Sequence, residues 1–176
     1  MKRIDSKVVY EGPMASVRID TFRYEDGSEA ERQVVTHPGA VAVVAHDEEC
    51  VYLVRQPREA VGDPALLELP AGKLDVEGES PLECAKRELA EEISMRAAEW
   101  SELKRFYTSP GFAEEEVTVF VATSLEDAGV DPDPSERIEV VRWPLADLSG
   151  AIDACHDSKS LIGLLLFQRV REGSQG

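Results

Sequence analysis

Cysteine, histidine and aromatic residues are scarce in this chain, and basic residues are outnumbered. Its 176 residues include three cysteines and three histidines, and Phe, Trp and Tyr together make up 6%. Cys50, Cys84 and Cys155 are odd in number and lack metal-ligand spacing. That argues against a disulfide framework or a zinc site and predicts free thiols in a reducing compartment. Lys and Arg total 19 against 35 Asp and Glu, a formal charge of −16. A general nucleic-acid binder needs a basic footprint, so that class is excluded. No long apolar run and no signal-peptide pattern occurs, so no membrane partner is expected and the cytoplasm is the expected compartment. Repeats and domain-separating linkers are missing as well. What remains, 43% hydrophobic and 31% charged, is the composition of an ordinary globular chain with ample length for a core.

The most informative stretch runs from Gly72 to Met95, GKLDVEGESPLECAKRELAEEISM. A glycine loop follows the apolar run Leu66 to Ala71, and a helix then opens with clear start signals. Ser80 suits the N-cap, Pro81 the first helical position, and Glu83 completes a capping box. Leu82, Ala85, Leu89 and Ile93 fall on one side and form the expected buried face. Glu88, Glu91 and Glu92 share a neighbouring face at i, i+3 and i+4. Like charges so spaced cost roughly 0.2–0.5 kcal/mol per pair. Arg87 stands four residues before Glu91 and Arg96 four after Glu92, so neutralisation is partial. A bound divalent cation would remove the conflict, and carboxylates without Cys or His suit Mg²⁺, Mn²⁺ or Ca²⁺. The helix alone is more simply read as a solvated acidic face.

Around it the chain alternates short strands and turns. Residues 8–36 read as β, with an Asp26-Gly27 hairpin signal, and His37-Pro38-Gly39 punctuates the join to the next strand. Ala40 to Ala45 and Val51 to Val54 read as central strands, and Arg55-Gln56-Pro57-Arg58 as a strand-end loop. Arg58 either clamps a phosphate with its planar fork or forms a surface ion pair. Trp100 to Tyr107 reads as a strand, residues 108–116 as a turn carrying Glu114, Glu115 and Glu116, and Val117 to Val121 as the next strand. Asp131 to Ser135 is too rich in Pro and Asp for an element. Ile138 to Trp143 reads as a strand, Leu145 to Ile152 as a short helix and Ser160 to Val170 as a final helix.

Gly72, Glu79, Arg87-Glu88-Leu89, Glu91-Glu92 and Met95 resemble the Nudix box, Gly-x5-Glu-x7-Arg-Glu-U-x-Glu-Glu-x-Gly-U, with U aliphatic. Two positions depart from it. Six residues rather than five separate Gly72 from Glu79, and Ser94 replaces the last glycine, which would suit a left-handed helix cap. Neither change removes a carboxylate. Pro110, fifteen residues past Met95, together with Leu67 to Gly72, Gln56-Pro57-Arg58 and the Glu115 region, resembles the ADP-ribose pyrophosphatase subfamily, some members of which carry the longer loop.

This resemblance implies an α/β (α+β) Nudix fold, a mixed β-sheet core sandwiched by helices, preceded by an N-terminal antiparallel sheet. Residues 1–38 would form that segment, serving dimerisation and the adenine side of the site, and residues 39–176 the hydrolase domain. The implied reaction is Mg²⁺-dependent hydrolysis of the ADP-ribose pyrophosphate bond, giving AMP and ribose 5-phosphate, with Mn²⁺ as substitute. By position, the Ala71 carbonyl, Glu88, Glu91 and Glu92 would hold the metal. Arg87 would orient the glutamates, and Glu79 would support the loop. Arg58 and Glu68 would line the substrate site, with Arg32 a further candidate. Glu115 is the expected general base, with Glu91 the other carboxylate considered. A homodimer is implied. The rival readings are hydrolysis of another nucleoside diphosphate sugar and a ligand-sensing module without turnover.

Overall fold

The structure is a computed structural model and describes residues 1–130 and 137–173. The loop expected over Asp131 to Ser135 lies outside the described residues. The chain divides into two compact units. The first comprises residues 1–39 and 106–116, and the second comprises residues 40–105 and 117 onward.

The first unit is a three-stranded antiparallel sheet of β1 (Lys2–Glu11), β2 (Ser16–Arg23) and β3 (Glu29–Thr36), in that order. The hairpin between β2 and β3 turns at Asp26-Gly27. Gly27 has φ +83°, and Asp26 accepts hydrogen bonds from the Ser28 N–H at 3.0 Å and Ser28 Oγ at 2.6 Å. Every residue of β1 is exposed. That explains why the strand starts at Lys2, ahead of the expected residue 8: with neither face buried, no alternation marks its beginning. Residues 109–114 are sewn onto β3. The Val35 N–H donates to the Phe112 carbonyl at 2.7 Å, and the Glu114 N–H donates to the Val35 carbonyl at 3.1 Å. The expected boundary after residue 38 does not anticipate that this later loop joins the first unit.

The second unit is built on a mixed sheet. In chain order its elements are β4 (Ala40–His46), β5 (Cys50–Arg58), β6 (Asp63–Glu68), β7 (Ala71–Lys73), α1 (Pro81–Ile93), β8 (Met95–Tyr107), β9 (Glu116–Asp127), β10 (Glu139–Pro144), α2 (Leu148–Ala154) and α3 (Ser158–Gly173). The strand order is β10-β5-β4-β9-β8, with β6 on β5 and β7 on β4; β4 runs parallel to β9. Residues Ala40 to Ala45 are buried on both faces, which is why they read as an unbroken apolar run. Val41, Val43 and Ala45 join one core cluster with Ala85, Leu89 and Ile93 of α1. On α3, a Cβ at Gly163 would stand 3.5 Å from Val44 and 3.3 Å from Val119, so that helix lies close on the strands through residues of the other alternation. Helices thus cover the sheet on both sides, as expected.

Local signals place α1 well. Ser80 Oγ accepts from the Glu83 N–H at 3.3 Å, and Glu83 Oε2 accepts from the Ser80 N–H at 2.9 Å, closing the capping box. At the other end Ser94 adopts the left-handed conformation, φ 57°, that glycine would favour, and its Oγ donates to the Val130 carbonyl at 2.7 Å. This bond offsets a backbone cost of about 1–2 kcal/mol. The helix stops there, so Arg96 belongs to β8. It donates to the Asp127 carbonyl at 3.4 Å and is no helical partner of Glu92. Arg55 to Arg58, expected as a strand-end loop, instead lie inside β5. They pair with β6, with the register shifting between Gln56 and Arg58. Pro57 has no N–H to give a ladder and sits at that bulge, so the chain continues as strand through it.

Candidate active site

The turn of α1 that carries the glutamates is organised by Arg87. Its Nε and Nη2 each reach a Glu79 oxygen at 3.0 Å, and Nη1 reaches Glu88 Oε1 at 2.7 Å and Glu91 Oε2 at 3.0 Å. Glu79 is thereby tied to the helix, and the hydrogen bond from Arg87 is the main reason its acidity is strengthened. The same pairing raises the Arg87 pKa. Glu92 faces inward, 5% exposed, and its Oε2 accepts from the Ala71 N–H at 2.9 Å. Gly72 packs against Glu88 so closely that a Cβ there would stand 1.9 Å from the Glu88 carboxyl carbon. Any side chain at this position of β7 would displace the Glu88 carboxyl. Cys84, buried in the same helix, donates to the Lys73 carbonyl at 3.3 Å, and burial pushes its thiol up to about 12, which marks a packing residue and no nucleophile.

Ala71-Gly72 and the three carboxylates are therefore neighbours, and all their donors are oxygens. That set fits a hard divalent cation. As the side chains stand, their oxygens are engaged by Arg87 and the Ala71 N–H. Among the described residues no three His, Cys, Asp or Glu side chains are gathered tightly enough to encage an ion.

A second cluster lies in the same unit. Arg58 makes a two-pronged contact with Glu68, Nε to Oε1 at 2.6 Å and Nη2 to Oε2 at 2.9 Å. Glu68 is 1% exposed and its Oε2 also accepts from Lys159 Nζ. Glu68, expected to line the substrate site, is thus placed behind Arg58 as its anchor. Arg58 keeps 40% of its side chain exposed, so one edge of its guanidinium is open to a ligand. Its pKa is raised chiefly by the bond to Glu68, with Glu92 adding a charge contribution, so Arg58 feels the acidic helix. Lys159 and its neighbour Asp157 escape sequence reasoning. Nothing local marks them, because Lys159 meets Glu68 across 91 residues of chain.

Arg32 and Glu115 belong to the first unit. Arg32 donates to the Glu31 carbonyl at 2.8 Å and to the Tyr24 hydroxyl at 3.3 Å. It lines a cavity of about 590 Å³ with Phe22, Tyr24, Phe112 and Arg18. Glu115 accepts from Thr108 Oγ1 at 2.8 Å and has His37 Nδ1 at 3.6 Å. Its neighbour Glu114 is no solvated loop charge. Arg18 binds both its oxygens, at 2.8 and 2.6 Å, and this pairing is the chief reason its pKa is lowered.

Residues 35–162 match the NUDIX domain, and the chain belongs to the NUDIX family of hydrolases. Enzymes of this kind generally depend on a divalent metal. Among curated proteins, the chain is 35% identical over 175 residues to ADP-ribose pyrophosphatase of Mycobacterium tuberculosis (strain ATCC 25618 / H37Rv), covering 97% of this chain and 84% of that protein. It is 34% identical over 172 residues to ADP-ribose pyrophosphatase of Bacillus subtilis (strain 168), covering 95% and 92%. A methanol dehydrogenase activator of Bacillus methanolicus is 33% identical over 174 residues, with coverage of 95% and 92%. The fold matches a crystal structure of an ADP compounds hydrolase with TM-score 0.85 at 22% identity, covering 98% of this chain and 95% of that one. Among the described residues no helix is long and apolar enough to cross a membrane.

Proposed function

We propose that the protein hydrolyses the pyrophosphate bond of ADP-ribose, giving AMP and ribose 5-phosphate, with Mg²⁺ as its metal and Mn²⁺ as substitute. The observation that carries this reading is the complete acidic turn of α1 lying against Ala71-Gly72, in a chain whose relatives include two ADP-ribose pyrophosphatases. The Ala71 carbonyl, Glu88, Glu91 and Glu92 would hold the metal, which when bound offsets pyrophosphate charge and makes water more acidic. Arg87 keeps Glu88 and Glu91 in register and is itself braced by Glu79. Arg58 offers its open edge to a phosphate, a two-pronged geometry that guanidinium suits better than ammonium. Water forms a bond to one phosphorus as the bridging P–O bond breaks, and Glu115 takes the proton that water loses.

Arg32 and the aromatic-lined cavity of the first unit supply a site for the adenine end, since rings and guanidinium groups stack on a base. The two-domain division at residues 38 and 39 follows this separation of tasks. A homodimer is supported by β1, a long exposed edge strand carrying Val8, Val9 and Tyr10 at 59%, 49% and 60% exposure. The compartment proposed is the cytoplasm, in keeping with three free cysteines.

The test is AMP formation from ADP-ribose with Mg²⁺, with and without EDTA, beside a panel of other nucleoside diphosphate sugars and nucleoside triphosphates. The expected result is EDTA-sensitive turnover with ADP-ribose preferred. A triphosphate as best substrate by kcat/KM overturns the substrate assignment, and binding without turnover of any substrate supports a sensing module instead.

A further inference from the structure

The turn that opens α3 brings a second cation to Glu68. The Ser160 N–H and Oγ donate to Asp157 Oδ2 at 3.0 and 2.7 Å, and Ser160 Oγ accepts from the Leu69 N–H at 2.8 Å. The start of α3 is thus fastened to the residue that follows Glu68. From this anchored turn Lys159 extends Nζ to Asp157 Oδ2 at 2.9 Å and to Glu68 Oε2. Its side chain is 16% exposed, low for a lysine. Arg58, Glu68, Lys159 and Asp157 form a continuous series of two cations and two carboxylates. A carboxylate buried as deeply as Glu68 must be matched by cations, and removing one leaves charge uncompensated.

The geometry gives Lys159 a task besides neutralisation. Glu68 Oε2 is shared by Lys159 and Arg58 Nη2, while Oε1 takes Arg58 Nε. Lys159 therefore fixes the plane of the carboxylate on which the Arg58 fork lies flat, and that plane decides where the open guanidinium edge points. We propose that Lys159 is a positioning residue for substrate binding, acting through Glu68 to orient Arg58 toward a phosphate of the substrate. This rests on the proposed role of Arg58 at the pyrophosphate. A lysine that merely tied α3 to the sheet would affect stability but would not act through Arg58.

The experiment is a double-mutant cycle of K159M and R58A on the full chain, with KM and kcat for ADP-ribose in Mg²⁺ and a melting curve for each variant. K159M should raise KM roughly tenfold, the scale of losing the alignment of one charge-assisted bond, with a smaller effect on kcat. In the R58A background the same change should alter KM by less than about twofold, because the path from Lys159 to substrate is already cut. If R58A raises KM but K159M leaves it at the wild-type value, the inference is wrong while the reading of Arg58 stands. The same factor in both backgrounds also overturns it, since Lys159 would then act independently. If R58A itself leaves KM unchanged, both readings fall. Should K159M not fold, K159Q takes its place in the cycle, with the same direction expected and the same outcomes decisive.

Discussion

Replacing Gly72 by alanine tests the site with one methyl group. The added Cβ would stand 1.9 Å from both Cδ and Oε1 of Glu88 and 2.4 Å from its Cγ. Carbon atoms rest at about 3.5–4.0 Å, so the carboxyl must retreat by about 1.6 Å or more. The carboxyl is the far end of a flexible side chain and can retreat by rotating, at the expense of the Arg87 bond at 2.7 Å. Stability should therefore change little. Gly72 is not among the residues with positive φ, so alanine brings no left-handed strain and can even gain a few tenths of a kcal/mol by restricting the unfolded chain. Function should change greatly, because a displacement of roughly 1 Å in a reacting constellation costs on the order of 10²-fold. Titrating Mg²⁺ into G72A should show weaker metal activation, and kcat/KM for ADP-ribose should fall by about 10² at saturating metal. G173A is the control, because a Cβ there meets nothing within 4 Å. Wild-type activity in G72A would refute the claim that contact with Gly72 sets the position of Glu88.

Further outcomes rest on other parts of the molecule. Glu115→Gln should lower kcat by roughly 10²–10⁴ with little change in KM, by loss of the proton acceptor; Glu114→Gln and Glu116→Gln are the comparisons. An equal loss in either comparison would remove Glu115 from the role of base. Light scattering at micromolar concentration should give a dimer, and deleting residues 1–36 should expose its interface and raise KM; a monomer with normal kinetics contradicts this. Asp157 is held below its usual pKa: burial alone would raise it, but Lys159 and Ser160 outweigh that. A depressed folded-state value means the unfolded chain takes up the proton first, so this stabilisation is present above about pH 4 and lost as pH falls through the folded value. Melting temperature should drop on acidification below about pH 4, and by less in Asp157→Asn.

The parts of the fold that are legible from sequence are those specified by neighbours in the chain. Ser80, Pro81 and Glu83 announce α1 because a capping box is a local bonding pattern, and β4 is plain because both its faces are buried. Other features depend on distant partners or on exposure. The start of β1 gives no signal because the strand buries neither face. Pro57 reads as a strand end, yet the strand absorbs it as a bulge against β6. The carboxylate turn can be read off the helix, since i, i+3 and i+4 spacing fixes a shared face. That Glu68 lies behind Arg58, with Lys159 on its other side, cannot be read, because Glu68 and Lys159 are separated by 91 positions. Ser94 reads as a poor left-handed cap, but its partner, the Val130 carbonyl, lies 36 residues on.

The attachment of residues 109–114 to β3 has a consequence for the order in which the chain can be completed during synthesis. Val35 leaves the ribosome early, but the Phe112 carbonyl and Glu114 N–H that satisfy its backbone emerge much later. At roughly 5–20 residues per second the interval is about 4–16 s. Throughout it, the nascent three-stranded sheet has unpaired backbone groups on both outer strands, β1 and β3. The N-terminal sheet, although translated first, thus keeps an open edge until residues 109–114 have emerged, just ahead of the strands β9 and β10 that complete the second unit. A crowded polysome, where neighbouring nascent chains display the same open edge, is the setting in which these strands are most exposed to mispairing.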